Sequence, residues 1–150
     1  MWQQLLNNHA LQAGLLAWLL AQVAKPFFEF PETRRWNWGL MLTAGGMPSS
    51  HSALMCAMML GIGLFNGFDT PAFAIAVAIT MVVVYDAAGV RRQAGIHAQR
   101  INQLIQEIFS GRPITEERLL EVLGHTPREV IAGVTLGLVT AAVMYLLLKP

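Results

Sequence analysis

The sequence predicts an all-α membrane protein, a bundle of about four transmembrane helices with a cytoplasmic amphipathic helix, forming one domain over residues 1–150. Three observations predict it. Hydrophobic residues make up 55% of the chain, and the mean hydropathy is +0.49, above what a soluble domain of average make-up carries. Four apolar stretches approach the roughly 20 residues that a helix rising about 1.5 Å per residue needs to cross the hydrocarbon. The basic residues gather in the segments between particular stretches, as the positive-inside rule requires of a polytopic chain.

The stretches are Leu5–Ala24, Ser52–Phe68, Pro71–Val90 and Val130–Leu148. Asn7, Asn8, His9, Gln12 and Gln22 interrupt the first, which suits a span whose polar residues face neighbouring helices. No basic region precedes it and no A-x-A-like site with a soluble domain follows, so it reads as a retained span rather than a cleaved signal peptide. A Gly-Phe-Asp-Thr-Pro turn from Gly67 to Pro71 makes a tight hairpin of the second and third spans. Gly63 with Gly67, and Gly133 with Gly137, have the small-xxx-small spacing that lets helix backbones approach closely, although such spacings also arise by chance in membrane helices. The single Cys56 has no partner within the chain, so a disulfide is excluded.

After Val90, apolar residues at 101, 104, 105 and 108 form a helical stripe among Arg, Gln and Asn. This predicts an amphipathic helix at the interface, ended by Ser110-Gly111-Arg112-Pro113, with a second short helix over Glu116–Leu123. With four spans, Lys25, Arg34, Arg35, Arg91, Arg92, Arg100, Arg112, Arg118 and Arg128 share one side, and only Lys149 falls opposite. The first side is then cytoplasmic, and both termini point away from it.

Ionisable groups in or beside spans are expensive and mark candidate sites. Gly45-Gly46-Met47-Pro48-Ser49-Ser50-His51 precedes the second span. It reads as a loop whose Ser49 or Ser50 caps that helix and leaves backbone N–H groups for an anion, with His51 beside it. An ordinary N-cap with an interfacial histidine accounts for the same residues. Gly124-His125-Thr126-Pro127-Arg128-Glu129 opens the fourth span. There Thr126-x-x-Glu129 with Pro127 reads as a capping box, while Glu129 one turn from His125 also suits an acid that orients a nucleophilic imidazole. Asp86 pairs with Arg91 or Arg92 at the interface, or holds one of them toward a phosphate.

These residues resemble a known family. Pro48-Ser49-Ser50-His51 is similar to the Pro-Ser-Gly-His motif of the type 2 phosphatidic acid phosphatase and vanadium haloperoxidase superfamily. His125 to Gly133 resembles its third motif, in which His is followed four residues later by Asp at the start of a membrane helix. Gly45–Ala53, Tyr85–Arg92 and Gly124–Pro127 together look like the divergent branch of small bacterial and plastid membrane proteins. The resemblance implies a helical bundle and metal-independent phosphate hydrolysis through a phosphohistidine, with no cofactor. It implies His125 as nucleophile, Glu129 as its orienting acid and His51 as the acid for the leaving oxygen. Ser49, Ser50, Lys25, Arg91 and Arg92, with Asp86 as positioning group, would bind phosphate.

The pattern departs from the superfamily at two points. Lys25 is followed by Arg34 and Arg35 without the Lys-x6-Arg-Pro spacing, and the arginine six positions before a histidine is met by Arg91 and His97 rather than before His125. His97 is thus a competing nucleophile, although position 101 holds Ile101 where an acid belongs.

The implied function is a lipid-phosphate phosphatase of the bacterial plasma membrane acting at the cytoplasmic leaflet, first on phosphatidylglycerophosphate, with polyprenyl diphosphate as the alternative substrate. Its expected partners are the lipid phosphate and membrane lipids, not nucleic acid, with a homo-oligomer as an open arrangement. A non-catalytic protein binding anionic lipid or a partner through its basic surface is the competing class. Four spans without repeats are too few for the usual inverted-repeat design of a transporter unless the chain oligomerises, and a metal site of Asp86, His97 and His125 lacks helical ligand spacing.

Overall fold

The computed structural model describes residues 2–43, 45–108 and 125–149, without the side chains of residues 2, 32, 90–94, 99 and 106–108. The described chain is helical, with no strand among the described residues: α1 Trp2–Leu6, α2 His9–Thr33, a 3-10 helix Trp38–Leu42, α3 Ser50–Asn66, α4 Pro71–Ala88, α5 Val90–Ile108 and α6 Pro127–Leu148.

The all-α membrane bundle is as expected. Among the described residues, three helices are long and apolar enough to cross a membrane: His9–Pro31, Pro71–Ala88 and Pro127–Leu148. The expected second span is a shorter apolar helix of 17 residues, about 26 Å long at the usual helical rise. It nevertheless occupies the centre, packing against α2, α4 and α6, while α2 and α6 also touch each other.

The first span begins and ends later than the hydropathy suggested. Asn8 breaks the chain after α1 because its side chain accepts the Leu11 N–H at 3.0 Å, capping α2. The helix then runs through Pro26 and Pro31 and ends at Arg34, whose left-handed φ of 55° turns its N–H back to the Phe30 carbonyl. Lys25 therefore lies within a helix rather than after one.

The core is made of small residues. Ala13, Ala17, Ala21, Ala53, Ala57 and Ala141 are fully buried, with Leu60, Leu136 and Met144 packed around them. In lipid, where burying an apolar group against another helix gains little, backbone approach and dispersion hold helices together, and small residues permit it. A Cβ on Gly133 would run into the Ser49 carbonyl oxygen, and one on Gly137 into that of Ala53. That glycine pair thus forms the α3–α6 seam. Of the other pair, Gly63 faces the Phe68 ring and Gly67 is a turn residue with φ +110°. Between α3 and α2 the close backbone approach is instead at Gly61, where a Cβ would lie 2.9 Å from the Ala10 Cα.

The hairpin between α3 and α4 is closed by Thr70, whose hydroxyl donates to the Gly67 carbonyl and accepts the Phe73 N–H. α4 buries only Thr80 and Ala87. It turns Ile75, Ile79 and Val82 outward and is pinned to α3 by the Thr80 hydroxyl donating to the Met55 carbonyl at 3.2 Å. The amphipathic helix expected after Val90 is α5, which packs on α4. The expected stop at Ser110-Gly111-Arg112-Pro113, the short helix at Glu116–Leu123 and Gly124 lie outside the described residues.

Candidate active site

The ends of α2 and α4 and the starts of α3 and α6 meet at one end of the bundle. Ser49 caps α3, its hydroxyl accepting the Ser52 N–H at 3.4 Å and sharing a 3.0 Å hydrogen bond with the Ser52 hydroxyl. Its own N–H donates to the Glu129 carbonyl at 3.0 Å, which fixes the start of α3 against the first turn of α6. Ser50 follows as the first residue of α3, 1% exposed, its hydroxyl oxygen buried without a hydrogen-bond partner among the described residues.

At the start of α6 both readings of Glu129 hold together. Thr126 accepts the Glu129 N–H at 3.4 Å, and Glu129 Oε2 accepts the Thr126 N–H at 3.3 Å, a complete capping box. The same Oε2 takes the His125 Nδ1–H at 2.8 Å. An ionised carboxylate can only accept, so in this contact Nδ1 carries a proton and a neutral imidazole has its lone pair on Nε2. His125 is 4% exposed, so its imidazole is held in the packed interior rather than in solvent.

Two cavities flank this pair. The smaller, about 210 Å³, is lined by His51, Asp86 and His125 with Val82, Val83 and Ala87. Residues from α3, α4 and the segment just before α6 that the sequence separates by up to 74 positions thus share one space. The larger, about 750 Å³, is lined by Lys25, Gly46, Met47, Arg128 and Glu129 among others. Lys25 is 1% exposed and its ammonium donates to the Thr43 carbonyl at 2.5 Å. Glu129 also acts on it electrostatically. An ammonium has three N–H groups and Thr43 takes one, so its charge and remaining donors can serve an anion in the cavity it lines.

The structure therefore brings together His51, Asp86 and His125, with Glu129 behind the imidazole and Lys25 on Glu129's other side. His97 lies apart, exposed on α5. Arg91 and Arg92 belong to the first turn of α5, which follows Asp86 directly, but their side chains are outside the described residues. Sequence reasoning assigns no site role to Thr43 or to the Arg128 side chain. Arg128 had a signal, a cation beside the acid on the first turn of a span. Thr43 contributes only a main-chain oxygen, which no side-chain pattern reveals.

No solved structure matches the chain. A protein described as the uncharacterized membrane protein YuiD of Bacillus subtilis (strain 168) is 35% identical over 152 residues, covering 94% of this chain and 96% of its own length. The model of the Divergent PAP2 family matches residues 6–140, a stretch that takes in Lys25, the Ser49–His51 loop, Asp86 and the His125–Glu129 pair. With nearly the whole chain matched and a full-length relative beside it, this protein belongs to the Divergent PAP2 family.

Proposed function

We propose that the chain is a metal-independent phosphatase of membrane lipid phosphates, working through a phosphohistidine on His125. The observation that carries this reading is the 2.8 Å bond from His125 Nδ1 to Glu129, on a histidine that shares a cavity with His51 and Asp86. Nε2 of His125 attacks phosphorus as the bond to the lipid oxygen breaks, and His51 gives its proton to that oxygen, releasing the lipid alcohol. Water then attacks the phosphohistidine and gives a proton to His51, restoring its acid form, as the P–N bond breaks and inorganic phosphate leaves. Lys25 and backbone amides at the start of α3 stabilise the charge on the phosphoryl oxygens.

The basic segments favour a cytoplasmic site in a bacterial plasma membrane. Phosphatidylglycerophosphate, available at that face, is then the first substrate, whereas recycling of polyprenyl diphosphates calls for a site on the outer face. One observation favours the non-catalytic alternative, an anionic-lipid-binding membrane protein. The Lys25 ammonium is already engaged by the Thr43 carbonyl, and the chain lacks the superfamily's Arg-Pro after that lysine.

The test is phosphate release in detergent with EDTA present. Phosphatidylglycerophosphate, phosphatidic acid and a polyprenyl diphosphate are offered to wild type, His51→Ala, His97→Ala and His125→Ala. Wild type and His97→Ala should release phosphate, with His125→Ala inactive and His51→Ala strongly impaired. Activity lost in His97→Ala but kept in His125→Ala moves the nucleophile to His97. No release by wild type from any of the three rejects the enzyme.

A further inference from the structure

We infer that Phe27, Phe30, Trp36 and Trp38 form a single aromatic slab seated at the lipid headgroup boundary, and that this seat sets the depth of the Lys25 cavity in the membrane. The inference rests on the chain being a membrane protein and not on its being a phosphatase.

The slab is built by the way α2 ends. The left-handed turn at Arg34 sends the chain back along the helix it has just left. Trp36 then stacks on Phe30 with centroids 4.5 Å apart and on Trp38 at 5.5 Å with ring planes 9° apart. Phe27 meets both indoles edge-on, at 5.5 and 6.3 Å. Such a set of mutual ring contacts normally belongs to a core, yet Phe27, Trp36 and Trp38 are each at least 50% exposed.

What covers the slab is legible in what leads up to it. Leu15, Leu19, Val23 and Phe27 recur at four-residue steps along one face of α2, and all are between 38% and 53% exposed. Aliphatic residues on a lipid-facing stripe give way to aromatic rings, and Arg34 and Arg35 follow at once. Hydrocarbon, ring and cation in that order match the layers of a bilayer leaflet, in which indoles lie at the headgroup level and arginines meet phosphates. A protein partner would not require this gradation.

The slab is joined to the candidate site by one short element. Trp38 opens the 3-10 helix Trp38–Leu42, Leu40 in the same helix lines the cavity with Lys25 and Glu129, and Thr43 just beyond it takes the Lys25 ammonium. The wall of the cavity is therefore fastened to the lipid interface at its start and to a buried lysine at its end. Such a wall holds the cavity at the level of the bilayer's own phosphates, where a phosphate carried by a lipid reaches it.

The experiment uses tryptophan quenching on the full chain in phosphatidylcholine–phosphatidylglycerol vesicles whose acyl chains carry bromine near the carbonyl end or near the methyl end. Trp2→Phe with Trp18→Phe leaves Trp36 and Trp38 as reporters. Adding Trp36→Phe or Trp38→Phe isolates one ring, with retained helicity by circular dichroism as the check on folding. Should the isolating variants not fold, the two-tryptophan protein gives the same reading for the pair. Shallow bromines should quench about two-fold or more better than deep ones, with little quenching by iodide in the aqueous phase. Strong iodide quenching without bromolipid quenching puts the slab in water and overturns the inference. Strongest quenching by the deep bromines, or none by either agent, overturns it as well, the last result meaning that protein covers the rings. None of these outcomes depends on phosphate release, so a failed phosphatase assay and a failed seat are separate results.

Discussion

The Ser49 N–H donates to the Glu129 carbonyl at 3.0 Å, so the start of α3, which carries His51, and the start of α6, which His125 adjoins, are fixed to each other through main-chain atoms. Gly133, one turn further along α6, leaves room for that contact by having no Cβ to strike the Ser49 carbonyl. Two helix starts are thereby registered without any side chain that substrate could displace.

Gly133→Ala should force α3 and α6 apart at this point. Overpacking of this kind costs about 1–3 kcal/mol, and a shift near 1 Å between His51 and His125 should reduce phosphate release about 100-fold. Gly45→Ala is the control, because a Cβ there meets nothing within 4 Å. Thermal unfolding in detergent compares the two, and equal midpoints would remove the glycine seam from the account.

Glu129 separates its two duties by substitution. Glu129→Ala removes the acceptor of the Thr126 N–H and should destabilise α6 by about 1 kcal/mol, the usual size of a lost capping interaction. Glu129→Gln keeps an oxygen for both donors but no charge for an imidazolium, so stability should stay near wild type while activity falls about 100-fold. Equal activity in Glu129→Gln and wild type would leave the residue a cap alone.

Lys25→Met keeps the length of the side chain and removes a buried charge. Replacing a buried ion by an apolar group of like shape is often neutral or stabilising, so the unfolding midpoint should hold or rise. Phosphate release should nevertheless fall about 100-fold, as when one donor to a developing oxyanion is lost. Parallel loss of fold and activity would make the Lys25–Thr43 contact structural.

Orientation is tested by labelling from outside intact cells, with Cys56→Ala removing the buried native thiol. Phe68→Cys, in the turn between α3 and α4, should react with an impermeant maleimide, and Arg34→Cys should react only after permeabilisation. Labelling of both from one side would show that α3, the helix between them, does not cross, and reversed labelling would turn the site outward.

Local chemistry was legible in the sequence and tertiary chemistry was not. The start of α6 could be read from Thr126, Pro127 and Glu129 because a capping box is complete within four residues, and the His125–Glu129 bond is a one-turn neighbour relation. The limits of α2 could not. Hydropathy does not register that Asn8 captures the Leu11 N–H, nor that a packed helix carries Pro26, fully buried, through its interior. The fourth span rests on α3, whose 17 residues fall short of the usual span length and stand among other helices. In the site, the gathering of His51, Asp86 and His125 followed from motif resemblance and a shared membrane side. The Thr43 carbonyl and the Ser49–Glu129 bond are main-chain contacts that residue types do not encode.

One carboxylate both closes the start of α6 and aims the imidazole of His125, and this has a bearing on descent. A lineage that abandoned the chemistry would still be held to an acid at position 129 by the demands of folding, just as α3 would be held to its cap at Ser49. Retention of Glu129 among relatives would then record architecture.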